Sequence, residues 1–273
     1  MNNSSQPLDI ANTSEMKVSP HPYLYQITKL DGGTEIFFVP NILCYEENTN
    51  ANISTFILKR DICITFFRAI LQFIREIGLS DYHLRIHPPP FKAPSKYPYF
   101  EQPSDTILKY ANRIGFMVSC TNDGKERKKP VDAPQLFDLN RPIILKTETC
   151  SIKSSVTSYQ LIVARDDKTN FICALDASGR SVLVIVPPSF VSCLDDLDDN
   201  NMYSALTLTA NALEKFTKNT YDAIIINVGK YMNVSHLHIK IYIPKQTFDD
   251  TFDKHKYLLQ LRKDVTWNSK SVN

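Results

Sequence analysis

The spacing of apolar residues divides the first third of the chain into short strands and one helix. Apolar runs that end at turn-forming residues are typical of strands, whereas apolar residues at intervals of three and four form one face of a helix. The predicted elements are two strands, a helix and a third strand, at residues 23–28, 35–40, 61–78 and 82–86. An Asp-Gly-Gly turn at 31–33 predicts that the first two strands form a hairpin.

The middle of the chain has weaker patterns and many prolines. Six prolines lie within residues 88–104, and they predict an extended connection, because proline lacks a backbone donor and restricts the residue before it. Residues 104–114 have helical spacing. The charged run at 125–129 is typical of a solvated loop, and contact with phosphate or RNA is the alternative interpretation.

The last third of the chain has the clearest order of elements. Three strands, a helix and two further strands are predicted, at residues 158–164, 170–175, 181–186, 195–218, 223–228 and 235–243. This order predicts an α+β fold with a mostly antiparallel sheet and a long helix. Paired strands followed by a helix and a strand occur in both halves, so the N-terminal half is a candidate degenerate duplicate of the C-terminal half.

The patterns together divide the 273 residues into four segments. We predict a flexible tail at residues 1–20 and an N-terminal α+β half with the proline-rich connection at 21–150. A C-terminal α+β domain follows at 151–250, and a C-terminal extension at 251–273. A chain of this length is sufficient for one large domain or two modest ones.

The composition is that of an ordinary globular protein. Hydrophobic residues make up 43% of the chain, and a formal net charge of +2 provides no global attraction for nucleic acid or a membrane. No apolar run is long enough to predict a membrane span, and the polar N-terminus does not resemble a secretory signal. The six cysteines form no Cys-x-x-Cys pair, which favours reduced thiols. We therefore predict a cytoplasmic protein, with the nucleus as the alternative location.

Two histidines and a lysine recur at every second position of the predicted strand at 235–243. Residues two apart on a strand face the same side, so His236, His238 and Lys240 share a face. Such groups on a buried face need a partner. A phosphate is one, because lysine binds it as a point charge and histidine can donate to it or attack it. The alternatives are a strand face exposed to water and a zinc site, although no third zinc ligand is near in the sequence.

Four ordered features of the last third resemble the histidine triad (HIT) superfamily of nucleotide hydrolases and transferases. The first is a strand that ends in an aspartate, at residues 171–176, and the second is a glycine-to-proline segment with an apolar strand, at 179–187. The third is a helix with an acidic start, at 195–218, and the fourth is a His-x-His strand, at 227–240. The last contains Val-Ser-His-Leu-His-Ile-Lys, which resembles the signature Val-x-His-φ-His-φ-His-φ, where φ is apolar. The resemblance covers residues 158–245, and the segment at 151–250 is therefore expected to be HIT-like.

This resemblance implies a role for each matching residue. His238 is the implied nucleophile, which attacks the α-phosphate and carries a covalent nucleotidyl intermediate, while His236 orients it and Lys240 holds the place of the third histidine. Asp176 is the implied ribose ligand, and Asn227 is expected to line the site near the phosphate. The resemblance implies neither a metal nor a cofactor, since the cations are side chains.

The chain departs from the family pattern at positions that also line the expected site. In place of a histidine after the glycine it has Arg180 or Ser181, depending on where a gap is placed. In place of a Gln-Ser pair it has Met232 and Asn233. Arg180, Ser181 and Asn233 are therefore included, with Asp176 and Asn227, among the candidate nucleotide-binding residues.

Two functions follow. The first is a nucleotidyl hydrolase or transferase that acts at the α-phosphate of a nucleotide conjugate. The chain length favours two-unit relatives such as dinucleoside polyphosphate phosphorylases and hexose-1-phosphate uridylyltransferases. The second, favoured by Lys240 and the missing histidine near Arg180, is a HIT-like module that has lost catalysis and binds a nucleotide, an RNA end or a protein. The chain is expected to form a homodimer or to contain an internal pseudo-dimer.

Overall fold

The structure is a computed structural model whose contacts divide the chain into two units. It describes residues 17–18, 22–30, 33–41, 52–89, 114–121, 162–176, 180–232 and 236–252. Unit 1 consists of Met1–Arg127 with Val228–Tyr231, and unit 2 consists of Lys128–Asn227 with Met232–Asn273. Each unit is α+β, and the strand pairs within each unit are antiparallel, as the sequence predicts.

In the described residues, unit 1 contains five strands, two helices and a 3₁₀ turn. They are β1 (Lys17–Val18), β2 (Tyr23–Leu30), β3 (Gly33–Pro40), α1 (Ile53–Leu58), α2 (Arg60–Glu76), β4 (Tyr82–His87), β5 (Gly115–Thr121) and the turn Gly229–Tyr231. The strands lie in the order β1-β2-β3-β5-β4. The hairpin, the helix and the third strand that the sequence predicts are therefore confirmed.

Aromatic side chains fill the core between α2 and the sheet of unit 1. The ring centroid of Phe116 on β5 lies 4.6 Å from that of Phe66 on α2. The ring of Phe38 on β3 lies 5.5 Å from that of Phe73 on the same helix. Successive strand residues point to opposite faces, so these rings define the face that packs on α2, and the polar residues of β4 lie on the other face.

The turn Gly229–Tyr231 begins with a glycine that no other residue can easily replace. Gly229 has a φ of 62°, in the left-handed region that favours glycine. The N–H of Lys230 donates to Asp81 Oδ1 at 2.7 Å. A Cβ atom at position 229 would meet the Asp81 carboxylate and would lie 2.9 Å from the carbonyl oxygen of Ser80.

In the described residues, unit 2 again contains five strands, with two α-helices. The elements are β6 (Ile162–Arg165), β7 (Ile172–Leu175), β8 (Val182–Val186), a 3₁₀ turn (Leu194–Asp196), α3 (Asp199–Ala212) with its π-helical end (Leu213–Thr217), β9 (Ala223–Val228), β10 (Ile239–Tyr242) and α4 (Lys245–Phe252). The strands lie in the order β9-β10-β8-β7-β6.

The long helix of unit 2 begins later than predicted. Leu194–Asp196 forms a separate 3₁₀ turn, and α3 begins after Asp198, whose carboxylate accepts a hydrogen bond from the Asn201 N–H at 2.8 Å. Asp199 in the first turn places a negative charge at the positive end of the helix dipole. The acidic residues that predict the helix therefore form its cap and the preceding turn.

One face of the unit 2 sheet is covered and the other is more open. Helix α3 packs against β6, β7 and β8. Ile185 of β8 and Ile241 of β10 are fully buried, as expected for the face under the helix. Lys240 alternates with them and pairs with Val184 and Ile225, and all three of these residues are half-buried. Lys240 therefore lies on the more open face.

The two units share one order of elements. The path β2, β3, α2, β4, β5 in unit 1 is repeated as β7, β8, α3, β9, β10 in unit 2, and the last strand of each path is paired on both sides. Met117 of β5, for example, pairs with Phe37 of β3 and Arg85 of β4, and Lys240 of β10 pairs likewise with β8 and β9. This common order supports the interpretation of the N-terminal half as a degenerate duplicate.

The histidine-containing strand is shorter than predicted, and the prediction of a strand over 235–243 is wrong at its start. β10 begins at Ile239, so His236 and His238 lie before it. The reason is that the backbone N–H of Leu237 donates to the carbonyl oxygen of Val191 at 2.6 Å, in a loop contact that replaces the regular ladder.

Other predictions differ from the structure or lie outside it. β1 occupies part of the predicted flexible tail, and β5, α1 and α4 have no counterpart among the predicted elements. α4 also crosses the predicted start of the C-terminal extension at 251. The predicted helix at 104–114, apart from Ile114, and the charged run at 125–129 lie outside the described residues.

Two predictions about the chain as a whole can be compared with the described residues. None of the described helices has both the length and the apolar character needed to cross a bilayer. The described cysteines have free thiols, as predicted: Cys63, Cys120, Cys173 and Cys193.

Candidate active site

His236 is held by the loop that follows β8. The N–H of Val191 donates to His236 Nδ1 at 3.2 Å, so Nδ1 is the unprotonated nitrogen. The other nitrogen, Nε2, then carries the proton and faces the carbonyl oxygen of Pro187 at 3.4 Å. Burial lowers the pKa of His236, and the contact with Pro187 opposes that effect. His236 is therefore a neutral ring whose two nitrogens both face the protein backbone.

His238 has the opposite tautomer. Its Nδ1 lies 2.8 Å from the carbonyl oxygen of His236, and a carbonyl only accepts, so Nδ1 carries the proton and donates. The lone pair therefore lies on Nε2, which has no hydrogen-bond partner among the residues that the structure describes. Burial, and then the charge of Lys240, lower the pKa of His238 to about 4, so the ring is neutral at pH 7. This combination gives a nucleophilic nitrogen.

Lys240 places a positive charge near the ring of His238. It is the second residue of β10 and is half-buried. Burial lowers its pKa first and the charge of Arg180 lowers it further, whereas Asp176 raises it. Within the described part of the chain, the ammonium group forms no ion pair. A half-buried charge of this kind favours an anionic ligand.

Asp176 and Arg180 lie where β7 turns into β8. The Asp176 N–H donates to the carbonyl oxygen of Val182 at 2.9 Å, which fixes the aspartate at the end of β7. Arg180 Nε lies 3.6 Å from Asp176 Oδ2. The guanidinium is exposed, so the pair contributes only about 0–1 kcal/mol to stability. The electrostatic effects of Asp176 on both His238 and Lys240 place it within the same group of side chains.

The remaining candidate residues differ in their placement. Asn227 of β9 follows Ile226, the ladder partner of Ile239, by one residue. Ser181 lies just before β8, and its carbonyl oxygen accepts from the Ile243 N–H at 2.9 Å. Asn233 lies outside the described residues. The structure thus groups His236, His238, Lys240, Asp176 and Arg180, while Asn227 and Ser181 lie near the ends of β9 and β8, the two strands that pair with β10.

The histidines of β4 belong to unit 1. His83 is half-buried, and its ring lies 4.0 Å from that of Tyr231. His87 is buried, and burial together with the charge of Arg85 lowers its pKa to about 4. In the described residues no group of three or more His, Cys, Asp or Glu side chains is arranged to bind a metal ion.

One residue at the site has no counterpart among the predicted residues. Phe190 lies in the loop after β8, and its ring stacks on that of His236, with a centroid distance of 5.6 Å and an interplanar angle of 27°. An aromatic residue next to prolines at the end of a strand is the sequence signal, although the contact with His236 depends on the fold.

Comparisons with known proteins give matches in structure alone. No protein-family model and no curated protein matches the chain. An ADP-glucose phosphorylase from Arabidopsis thaliana, solved with bound ADP-glucose, is 12% identical, with 82% of this chain and 72% of that chain covered and a TM-score of 0.47. A uridylyltransferase is also 12% identical, with 95% and 94% covered and a TM-score of 0.47. A galt-like protein from Arabidopsis thaliana is 12% identical, with 82% and 74% covered and a TM-score of 0.45. At such identities the likeness concerns the path of the chain.

Proposed function

We propose that the chain is a nucleotidyl hydrolase or transferase that acts at the α-phosphate of a nucleotide conjugate through a covalent intermediate on His238. The observation that carries the proposal is the tautomer of His238. Its Nδ1 proton is donated to the His236 carbonyl oxygen, which leaves the Nε2 lone pair without a partner in the described residues. Because the pKa of His238 is about 4, the lone pair is available at neutral pH.

The first step forms a phosphorus–nitrogen bond. The electron pair of His238 Nε2 attacks the α-phosphorus, and the bond from phosphorus to the leaving-group oxygen breaks, with its electrons passing to that oxygen. The charges of Lys240 and Arg180 stabilise the phosphoryl oxygens as negative charge accumulates on them. Asn227, one residue after the ladder partner of Ile239, supplies a further donor to the same group.

The second step restores the enzyme. Water or a second phosphate attacks the phosphorus on the histidine, the phosphorus–nitrogen bond breaks, and its electron pair returns to Nε2. The proton of the attacking group passes to solvent. His236 acts as a positioning residue, because its carbonyl oxygen holds His238 while its own ring is held by Val191 and Pro187.

A labelling experiment tests the proposal. The protein is incubated with nucleotide conjugates labelled at the α-phosphate, namely a dinucleoside polyphosphate, a nucleoside phosphoramidate and a nucleotide sugar, and acid-labile label on the chain is measured. His238→Asn retains an N–H donor near the Nδ1 position but lacks the nucleophile, so it should lose the label and about 10³-fold or more of the turnover. His87→Asn is the matched control, since it replaces another buried histidine of low pKa in unit 1 and should keep the label.

The remaining outcomes separate the alternatives. Nucleotide binding without label or turnover in the wild-type protein would support the binding module that the lysine at position 240 favours. Absence of label, turnover and nucleotide binding would contradict the assignment of the site itself.

A further inference from the structure

Phe190 is exposed although it lies beside the buried histidines. In the described residues the large hydrophobic side chains that are exposed are Phe190, at 50%, and Leu58, at 62%. A single exposed apolar residue is ordinary on a protein surface, so the exposure alone indicates nothing. The surroundings of Phe190 decide its meaning, and they differ from those of Leu58, which ends helix α1 in unit 1.

One face of the Phe190 ring is committed to His236. The rings are nearly parallel, at 27°, with centroids 5.6 Å apart, and His236 is only 1% exposed. His236 in turn holds the nucleophile, because its carbonyl oxygen accepts from His238 Nδ1. Phe190 therefore stacks on the residue that positions His238, and half of its side chain remains exposed.

The loop that carries Phe190 is fixed to the segment 236–237 by both backbone groups of Val191, the residue after Phe190. The N–H of Val191 donates to His236 Nδ1 at 3.2 Å, and the carbonyl oxygen of Val191 accepts from the Leu237 N–H at 2.6 Å. These bonds hold the backbone beside Phe190 without using its side chain. The fixed backbone and the stacking on His236 are thus in place before any ligand binds, which reduces the entropy lost on binding.

A rigid aromatic ring beside a phosphate site suits a flat aromatic ligand group. Stacking requires a π-face and no particular hydrogen-bond pattern, so it accepts any nucleobase. We propose that Phe190 is the stacking platform for the base of the nucleotide whose phosphate lies at His238 and Lys240, and that the protein therefore takes nucleotide conjugates with little preference among bases. This inference rests on the proposed function, since it uses the same phosphate position.

A binding experiment with and without the base tests the platform. Calorimetry measures the affinity of the 273-residue chain for adenosine 5′-monophosphate and for ribose 5-phosphate. Phe190→Leu keeps an apolar side chain against His236 but removes the π-face, and Phe190→Trp retains one. Leu58→Ala is the matched control, because it alters the other exposed apolar residue.

We expect Phe190→Leu to weaken adenosine 5′-monophosphate by about 5- to 150-fold and to change ribose 5-phosphate by less than about twofold. Phe190→Trp and Leu58→Ala should bind both probes as the wild type does. Equal losses for the two probes in Phe190→Leu would overturn the platform, because Phe190 would then act only by supporting His236. Unchanged binding in Phe190→Leu, or equal affinity of the wild type for both probes, would also overturn it.

The platform and the proposed function fail in different ways. If the wild-type protein forms the labelled intermediate and Phe190→Leu binds adenosine 5′-monophosphate normally, only the platform is wrong. If the wild-type protein binds neither probe, the phosphate site is wrong, and the proposed function and the platform fail together.

Discussion

Mild acid should destabilise the protein, because His238 is buried in its neutral form. Burial and the charge of Lys240 lower the pKa of His238 to about 4 in the folded chain. The unfolded chain binds the same proton with the ordinary pKa of about 6.5. Between these values the unfolded state holds a proton that the native state lacks, so the unfolded state gains stability as the pH falls. The contribution of neutral His238 is thus complete above about pH 6.5 and is lost as the pH falls towards 4.

The size of the effect follows from the difference between the two pKa values. About 2.5 pKa units correspond to about 3 kcal/mol in the free energy of unfolding. Proton linkage with these values gives a loss of about 2 kcal/mol between pH 7 and pH 5, and of about 3 kcal/mol by pH 4. These losses are a large share of the total stability of a typical domain, about 5–15 kcal/mol.

Urea unfolding at steps of pH from 7.5 to 4.5 measures this dependence in the wild type and in His238→Asn. Asparagine does not titrate, so the variant should have a flatter profile, by about 2 kcal/mol between pH 7 and pH 5. The buried His87 contributes to both profiles and cancels in the difference. Parallel profiles, within about 0.5 kcal/mol, would refute the reasoning, because His238 would then titrate alike in the folded and unfolded chains.

Three further results are expected. Lys240→Met removes a positive charge, so an NMR titration should show the pKa of His238 rising while burial keeps it below 6.5; an unchanged pKa would contradict the contact. Gly229→Ala should lower the free energy of unfolding by about 2–4 kcal/mol in thermal or urea unfolding. Gly78→Ala, where φ is also positive but no atom lies near an added Cβ, should lower it by about 1 kcal/mol. Equal losses would show that the close contacts of the added Cβ at position 229 do not matter. Asp198→Ala should cost about 1 kcal/mol by the same measurement, through the lost cap of α3, and no change would argue against the cap.

The sequence predicts the elements whose residues carry their own periodicity or turn signals. Helix α2 and strands β7, β8 and β9 are examples, because apolar spacing and nearby turns define them locally. β5 escapes prediction because it follows a proline-rich segment and is stabilised by pairing with β3 and β4, which are distant in sequence. α1 is too short, at six residues, for helical spacing to be visible.

The candidate site is predictable in its residue types and not in its proton positions. The His-x-His-x-Lys pattern identifies His236, His238 and Lys240 from the sequence. The tautomer of His236 depends on the loop that holds Val191, 45 residues away in sequence, and the tautomer of His238 depends on the carbonyl oxygen of His236. The stacking of Phe190 depends on the same long-range contact, so no local pattern contains it.

Unit 1 repeats the order of elements of unit 2, but its last strand, β5, carries no histidine and no lysine. Met117 is paired on both sides within unit 1, as Lys240 is within unit 2, and Gly115 precedes Met117 by two residues, as His238 precedes Lys240. Unit 1 is therefore a natural recipient for engineering. Gly115→His with Met117→Lys would place the same two residue types on β5 without the loop that holds His236. Comparing this graft with the wild type in the α-phosphate labelling experiment separates the contribution of strand spacing from that of the backbone contacts of the loop.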